Sequence, residues 1–420
     1  MEHIRELNQK ISENKAKLDS WINTQINRSF IPLYTSVDLR ISDHKVVPVD
    51  TNVFPAGFNN LSPIFQERAS NLFKNYFQRE FPSTKTVLIV PEMHTRNSFY
   101  WQNILVLKSI LHRVGYIVNV GIITEDDVPQ EMEFEAASGT KIKAYKANKE
   151  NHRVTIPGFD PDLLLINNDF SEKCPKTLRD IAQPVEPPVE IGWHTRKKSI
   201  HFEFYNKLAL EVAEILGIDP WVISIDTIDD DGVDFDNPED REKVAQAADQ
   251  MIARLKEDYL KRGISEDPYL FIKSNSGTYG MAVLSVSSGD EVRSFNSDKR
   301  KRMRVSKGGN PVRDVVIQEG IPTSFTYEDN ISAEPVFYLV DTQVAGGFLR
   351  LNKSRNNLEN LNSRGMEFVH FDPCDEAAHT DDVEILCSPA LDLVSRIATI
   401  AAGYEIEKIL DEGGCKEEVA

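Results

Sequence analysis

The chain has 420 residues, 40% of them hydrophobic and 27% charged, which is enough for two or three domains with sizeable cores. Its net charge of -18 repels phosphate backbones and anionic lipid, and so argues against general nucleic-acid or membrane-surface binding. No apolar run approaches the length of a membrane span, the N-terminus is polar with neither a signal peptide nor an anchor visible, and four cysteines without CxxC pairing read as reduced thiols; a cytoplasmic location is expected.

As far as about Arg28, the residues Ile4, Leu7, Ile11, Leu18 and Ile22 recur near helical spacing and predict one amphipathic helix. From Thr84 the pattern runs strand (Thr86 to Val90), polar loop, helix (about Phe99 to Val114), Gly115, then strand (Tyr116 to Ile123), a βαβ unit of a largely parallel sheet. Asp162 to Ile166 reads as another buried strand, ending in Asn167-Asn168-Asp169; strand ends of this kind are where open α/β sheets gather ligands. Prolines crowd 183–190 and predict a rigid connector near a domain boundary. Asn237 and Pro238 open a helix that Gly263 closes, with Val244, Ala247, Met251, Leu255 and Tyr259 along one face. A strand-rich region from Tyr269 to Phe371 follows, and an apolar-faced helix from Leu391 to Leu410 comes after it.

The segment from Phe271 to Val283 carries the clearest chemistry. Gly277 and Gly280 let the backbone turn its N–H groups toward an anion, Ser274, Ser276 and Thr278 add hydroxyls, and Lys273 supplies a fixed positive charge. A second strand follows the glycines, so the loop caps a hairpin. It is neither a P-loop, which ends in Gly-Lys-Ser/Thr, nor a dinucleotide fingerprint, which needs a helix there. Alone, Ser276-Gly-Thr-Tyr-Gly280 is also ordinary hairpin chemistry. Two later segments add to it: an apolar strand from Val315 that ends in Gln318, Glu319, Gly320 and Ile321, and the pair Glu334 to Asp341 and Gly346 to Asn352. The basic run 298–304 reads either as a localisation patch or as a solvated face; Lys307 just beyond it is retained as a screen for phosphate charge.

The N-terminal half has three further polar clusters. An amino-acid substrate needs a carboxylate for its ammonium and a guanidinium for its carboxylate, and Asp50 with Arg40 meet that need, with Asn52 and Asn59 in the same box. Glu92, Arg96 and Asn97 follow a buried strand, and His194, Arg196 and Lys198 follow the connector. Singly, each also reads as a structural salt bridge or cap. His94, His194 and His201 lack tight ligand spacing, so zinc is not expected.

In order and spacing, the hairpin loop and the two later segments resemble the nucleotide site of ATP-grasp carboxylate-amine ligases, in which ATP lies between two sheets. With Asp50 to Asn60, Glu92 to Asn97 and Trp193 to Phe202 added, the whole chain resembles the ATP-grasp type of bacterial glutamate-cysteine ligase. The resemblance implies an α/β fold, with a Rossmann-like pre-ATP-grasp substrate domain over 1–200 and an ATP-grasp domain over 201–420. A phosphate loop at about 273–281 and a hinge at about 317–321 belong to the second domain.

The implied reaction joins the γ-carboxylate of glutamate to cysteine through an acyl phosphate, giving γ-glutamylcysteine, ADP and phosphate, the first step of glutathione biosynthesis. Lys273 and Arg350 are the implied catalytic residues, Arg350 acting with the loop 356–365 on the phosphoryl group or a substrate carboxylate. Lys273, Ser274, Ser276, Gly277, Thr278, Tyr279, Gly280 and Lys307 would hold phosphates. Gln318, Glu319, Gly320 and Ile321 would hold adenine. Mg2+ is implied, with Asn352, Asp372 and Asp341 as candidate ligands. Where glutathione synthetase has a Glu-x-Asn pair, this chain has Val383-Glu-Ile-Leu-Cys387, which makes Glu384 a further candidate. The family's habit implies a homo-oligomer. A glutathione-synthetase-like ligase and a non-catalytic nucleotide-binding regulator stay open as alternatives.

Overall fold

The computed structural model describes residues 2–93, 96–171, 173–277, 282–304, 312–328, 330–371 and 385–413. Two helices open the chain, α1 (Glu2–Glu13) and α2 (Lys15–Ile26), where the spacing predicts one. The break falls at Asn14, whose side-chain amide donates back to the Lys10 carbonyl at 3.1 Å, a local bond that competes with helix continuation. The strands β1 (Tyr34–Ile41) and β2 (Val46–Asn52) form an antiparallel pair, followed by α3 (Pro63–Glu80). Ser62 caps α3 by accepting from the Phe65 N–H, with Pro63 in the first turn.

The expected βαβ unit is present as β3 (Thr86–Pro91), α4 (Ser98–Arg113) and β4 (Ile117–Ile122), with β3 and β4 parallel. Next come β5 (Glu131–Glu135), β6 (Lys141–Lys146), β7 (Asn148–Glu150), β8 (Arg153–Thr155), β9 (Leu163–Asn167) and β10 (Val185–Glu186). The proline-rich stretch is therefore more than a connector, because β10 lies within it and extends the sheet by pairing with β9.

The chain continues through α5 (Lys198–Leu216), β11 (Thr227–Asp230), α6 (Pro238–Lys261), β12 (Leu270–Ser274) and β13 (Val283–Val286). Asn237 caps α6 by accepting from the Glu239 N–H, as its sequence predicts. After α7 (Gly289–Arg293), the basic run becomes α8 (Ser297–Arg304), and its Arg300 pairs with Asp236 at 3.0 Å. The last elements are β14 (Val315–Glu319), β15 (Thr326–Tyr327), β16 (Ile331–Val340), β17 (Gln343–Leu351), β18 (Glu367–His370) and α9 (Pro389–Asp411).

Among the described residues, three larger sheets and the two-stranded pair β7-β8 make up this mixed α/β fold. The first is antiparallel, in the order β18-β17-β16-β1-β2, with β15 on β16; it takes strands from both ends of the chain. The second runs β10-β9-β3-β4-β6-β5 and is parallel except at β5. The third, β11-β14-β12-β13, is antiparallel. The largest apolar core lies between the first sheet, α3 and α9, and joins the second sheet through α4. Gly346 on β17 is a packing residue, since a Cβ there would meet the Phe65 ring at 2.2 Å. A separate core under the third sheet is built with α6, so that sheet stands on its own apolar base. Among the described residues, no helix is long and apolar enough to cross a membrane.

Candidate functional site

Alternation along β1 turns Asp38 and Arg40 to one face of the first sheet. Register then sets Asp50 of β2 opposite Asp38, and Arg350 of β17 opposite Glu334 of β16. Asp38, Arg40, Glu334 and Arg350 are 5%, 3%, 3% and 7% exposed, and charges so deep persist only when paired. Here they are. Arg40 Nε donates to Glu334 at 2.8 Å, and one nitrogen of Arg350, Nη1, donates to both Asp38 (2.6 Å) and Glu334 (2.8 Å).

The third sheet faces these charges with Lys273 of β12. Its ammonium donates to the Val49 carbonyl of β2 at 3.2 Å and to Gln318 Oε1 at 2.5 Å, which ties the two sheets together across a cleft. Lys198, in the first turn of α5, pairs with Asp50 and lies over the Trp193 ring at 4.5 Å from its centroid. Ser274, Gly277, Phe271, Val283, Asn360 and Asn362 complete the lining, around about 610 Å³ of empty space counted out to the open mouth. Gly277 has a φ of +98°, a backbone shape that suits glycine.

Of the charged residues lining the cleft, three are carboxylates (Asp38, Asp50, Glu334) and four are cations (Arg40, Lys198, Lys273, Arg350), so a chain with net charge -18 holds a locally positive pocket. Burial pulls the Lys273 ammonium down to about 8, against the attraction of Asp50. Burial also pushes Asp50 up, but Lys198, with Lys273 and Arg196 behind it, outweighs this and holds the carboxyl below its ordinary value. Glu334 is likewise kept low against its burial by Arg40 and Arg350. For Asp38 burial wins over Arg350, and its carboxyl is raised.

The two guanidiniums differ in what they have left to offer. Arg40 spends Nε on Glu334, Nη1 on the Ile321 and Asn357 carbonyls (3.2 and 3.1 Å), and Nη2 on the Glu359 carbonyl (2.7 Å). Of five donors, one is free, so the paired grip on a substrate carboxylate expected of Arg40 is not available. Arg350 uses only Nη1, and its buried Nε has no partner. Its Nε/Nη2 edge is the fork that matches a carboxylate or phosphate.

The structure separates other expected residues from the cleft. Arg196 gives Nε and Nη2 to Glu405 of α9 (3.0 and 2.7 Å) and both Nη atoms to the Thr51 carbonyl (3.3 Å), so it braces β2 beside Asp50. Asn97 caps α4 by accepting from the Tyr100 N–H at 3.1 Å, and the Glu92 N–H donates to the Tyr100 hydroxyl at 2.8 Å. Arg96 is exposed. Asn59 bonds Asn60 at 2.9 Å, and His194 Nδ1 lies 2.9 Å from the Phe170 carbonyl. Asn52, next to Thr51, keeps a buried Oδ1 without a partner.

The expected hinge is also differently built. As β14 lies between β11 and β12, its N–H groups are taken: Glu319 donates to the Asp226 carbonyl (2.9 Å) and Gly320 to the Tyr269 carbonyl (2.7 Å). The Glu319 carboxylate is held by buried Lys45 at 2.8 and 2.7 Å, while Ile321 is 1% exposed. Gln318 reaches the cleft through Lys273 and keeps a buried Nε2 without a partner.

Of the metal candidates, Asp341 and Asn352 are described, and each is engaged locally. Asp341 occupies the turn after β16, paired with Arg79 at 2.8 Å, and Asn352 Oδ1 accepts from the Ser354 N–H (3.1 Å) and hydroxyl (2.7 Å) to close its own loop. No group of three or more His, Cys, Asp and Glu side chains gathers among the described residues. Ser276 stands in the loop after β12, whereas Thr278, Tyr279, Gly280, Lys307, Asp372, Glu384 and His94 lie outside the described residues.

Four lining residues were not named as site residues in the sequence, Asp38, Glu334, Asn360 and Asn362, although the last two lie in the loop 356–365 expected to act with Arg350. A signal existed for two of them: a charge inside an otherwise buried strand, with Asp38 two residues from Arg40 and Glu334 opening an apolar run.

Residues 8–406 match the family model of glutamate-cysteine ligase. No curated protein matches the chain. Among solved structures, a protein of Methylobacillus flagellatus KT, named as a candidate gamma-glutamylcysteine synthetase, is 33% identical over 96% of each chain, with a TM-score of 0.85. A glutathione synthetase-like effector of Globodera pallida is similar over 87% of this chain and 80% of that one, but at 9% identity and a TM-score of 0.36 the likeness carries no argument. Matched along nearly its whole length by the family model and by a structure one-third identical, the chain belongs to the glutamate-cysteine ligase family.

Proposed function

We propose that the cleft between the first and third sheets is where ATP and glutamate meet in an ATP-grasp arrangement, with the amino-acid pocket carried by residues 1–200 and the nucleotide cleft by 201–420. The observation that carries this reading is the convergence of Lys273 from one sheet and the open edge of Arg350 from the other within a single pocket.

A γ-carboxylate oxygen of glutamate attacks the γ-phosphorus of ATP, the bond to the bridging oxygen breaks, and ADP leaves. The cysteine amine, having lost its proton, then attacks the acyl carbon, and the C–O bond to phosphate breaks. Lys273 holds phosphate oxygens, with Ser274, Ser276 and the backbone at Gly277 beside it. The fork of Arg350 holds the carboxylate in line and takes up charge on the phosphoryl group as it transfers. Asp50 and Lys198, paired with each other in the structure, receive the ammonium and α-carboxylate of glutamate. Mg2+, on this reading, would be carried by the phosphates of ATP and would supply charge neutralisation there.

Glutamate labelled with 18O in its γ-carboxylate tests the acyl phosphate. One labelled oxygen is expected in each phosphate released with cysteine present; unlabelled phosphate sinks the mechanism. ADP release from γ-glutamylcysteine plus glycine, in place of glutamate plus cysteine, would instead favour the glutathione-synthetase reading.

A pH dependence follows from the buried amine. With the Lys273 ammonium lowered to about 8, its cationic form is lost as pH rises through that value, so kcat/KM for ATP is expected to fall on the alkaline side with a limb near 8. Bound triphosphate favours the cation, so kcat is expected to hold to higher pH. A kcat/KM profile flat from pH 7 to 9.5 counts against Lys273 as the phosphate ligand.

A further inference from the structure

Among the described residues, a second cavity of about 1570 Å³, counted out to its open mouth, lies against the turn that joins β16 to β17. Its walls come from α2, α3, β10, that turn and α9. The turn residue Asp341 is seven residues beyond Glu334 along β16, roughly 23 Å at about 3.3 Å per residue, and the two cavities share no lining residue.

One wall holds a carboxyl with nothing to neutralise it. Glu186 of β10 is 7% exposed, its Oε2 has no hydrogen-bond partner, and no cation of the described residues pairs with it. Burial pushes its pKa up to about 8 against the hydrogen bond of the Tyr76 hydroxyl, and the Glu80 carboxylate adds to the rise. The guanidinium nearest in kind, Arg79, is committed elsewhere, to Glu80 at 2.5 Å and Asp341 at 2.8 Å.

Other walls hold guanidiniums with capacity to spare. Arg396 of α9 reaches Asp392 only at 3.6 Å, and its Nε is buried without a partner. Arg68 of α3 is exposed at the rim and makes no ion pair within 4 Å among the described residues, although with Arg396 it attracts the Asp392 carboxyl of the same wall, which burial raises. An inorganic cation does not fit, because no three metal-binding side chains gather there. An unpaired acid on one side and under-used guanidiniums on another call for a ligand of both signs.

We propose that this cavity is a binding site for a small zwitterion bearing a primary ammonium and a carboxylate, the ammonium meeting Glu186 and the carboxylate meeting Arg68 and Arg396. Binding then carries a proton signature. The incoming ammonium favours ionised Glu186, so at pH 7 the complex releases close to one proton, whereas the arginines remain charged throughout and release none.

The test is calorimetry on the full chain with ω-amino acids from glycine to 6-aminohexanoate, in buffers of different ionisation enthalpy, with butylamine and butyrate as single-charge controls. At least one chain length is expected to bind one to one, more tightly than either control, with proton release at pH 7. Glu186→Gln keeps the side chain's size and is expected to weaken that ligand about tenfold or more and to abolish proton release. Arg68→Gln, at an exposed position, is expected to weaken the amino acid while leaving butylamine unchanged. The proposal is overturned if no member of the series binds, if binding survives both substitutions, or if Asp50→Asn removes it, which would assign the ligand to the catalytic cleft.

Discussion

Replacing Lys273 with alanine is expected to lower kcat by about 10²–10³-fold or more while the protein stays folded. Lys273 is the cation that the third sheet brings into the cleft; Lys198 is held by Asp50, Arg40 by Glu334 and three carbonyls, and the open fork of Arg350 stands on the opposite sheet, where it serves the carboxylate and the transferring phosphoryl group. Stability moves the other way from activity. The folded pKa of Lys273 is below its unfolded value of 10.5, so folding penalises the cation; the penalty is fully present below about 8 and fades as pH rises from there toward 10.5. Alanine removes that penalty at neutral pH along with some packing of the lysine stem, and the melting temperature should stay within a few degrees of wild type. Thermal melts followed by circular dichroism, alongside ADP release with glutamate and cysteine, check both halves. Turnover near the wild-type rate in a folded variant would remove Lys273 from the mechanism.

Arg350→Ala is expected to cost both activity and stability. Among the described residues the guanidinium is the only cation paired with Asp38 and one of two paired with Glu334. Breaking a buried pair by removing one partner typically costs about 3–5 kcal/mol, because the remaining charge stays desolvated. Glu334 keeps Arg40, so most of the cost falls on Asp38. The carboxyl of Asp38 is already raised by burial, and without Arg350 it rises further. An acid with a raised folded pKa destabilises the fold at pH values where it must ionise, and this cost disappears as pH falls through that pKa. The gap in melting temperature between variant and wild type should therefore be wide at pH 7.5 and narrower at pH 5. Arg350→Lys restores a charge without the planar fork, and should recover more stability than activity. Equal recovery of both would mean that the fork is not used in the reaction.

The contrast between Arg350 and Arg196 shows how far residue type alone reaches. Both are arginines expected at the site from the sequence, and both are buried. Arg196 finds Glu405, 209 residues away, and spends its guanidinium on bracing β2. Arg350 finds Asp38, 312 residues away, through one nitrogen only and keeps its fork open. Nothing local to either residue distinguishes these outcomes, because the partner is chosen by which strands and helices become neighbours. The same holds for Asn97 and Asn352, whose side chains serve a helix cap and a loop, and for Glu319, which is taken by Lys45.

Local chemistry was legible in the sequence. The βαβ unit, the capped helix from Pro238, the hairpin around Lys273 and the family resemblance all rest on short-range patterns: alternation, caps, glycine positions and motif order. Only the tertiary structure decided that β1 enters the sheet beside β16, so that Arg40 meets Glu334 across 294 residues and the charged faces of two sheets close one cleft. It also decided that β14 is flanked on both sides, so that the Glu319 and Gly320 N–H groups at the expected hinge are paired within the fold. The physical reason is the same in each case. Whether a polar group is free to work depends on whether folding has already given it a partner, and those partners are set by long-range strand order and register, which no local spacing encodes.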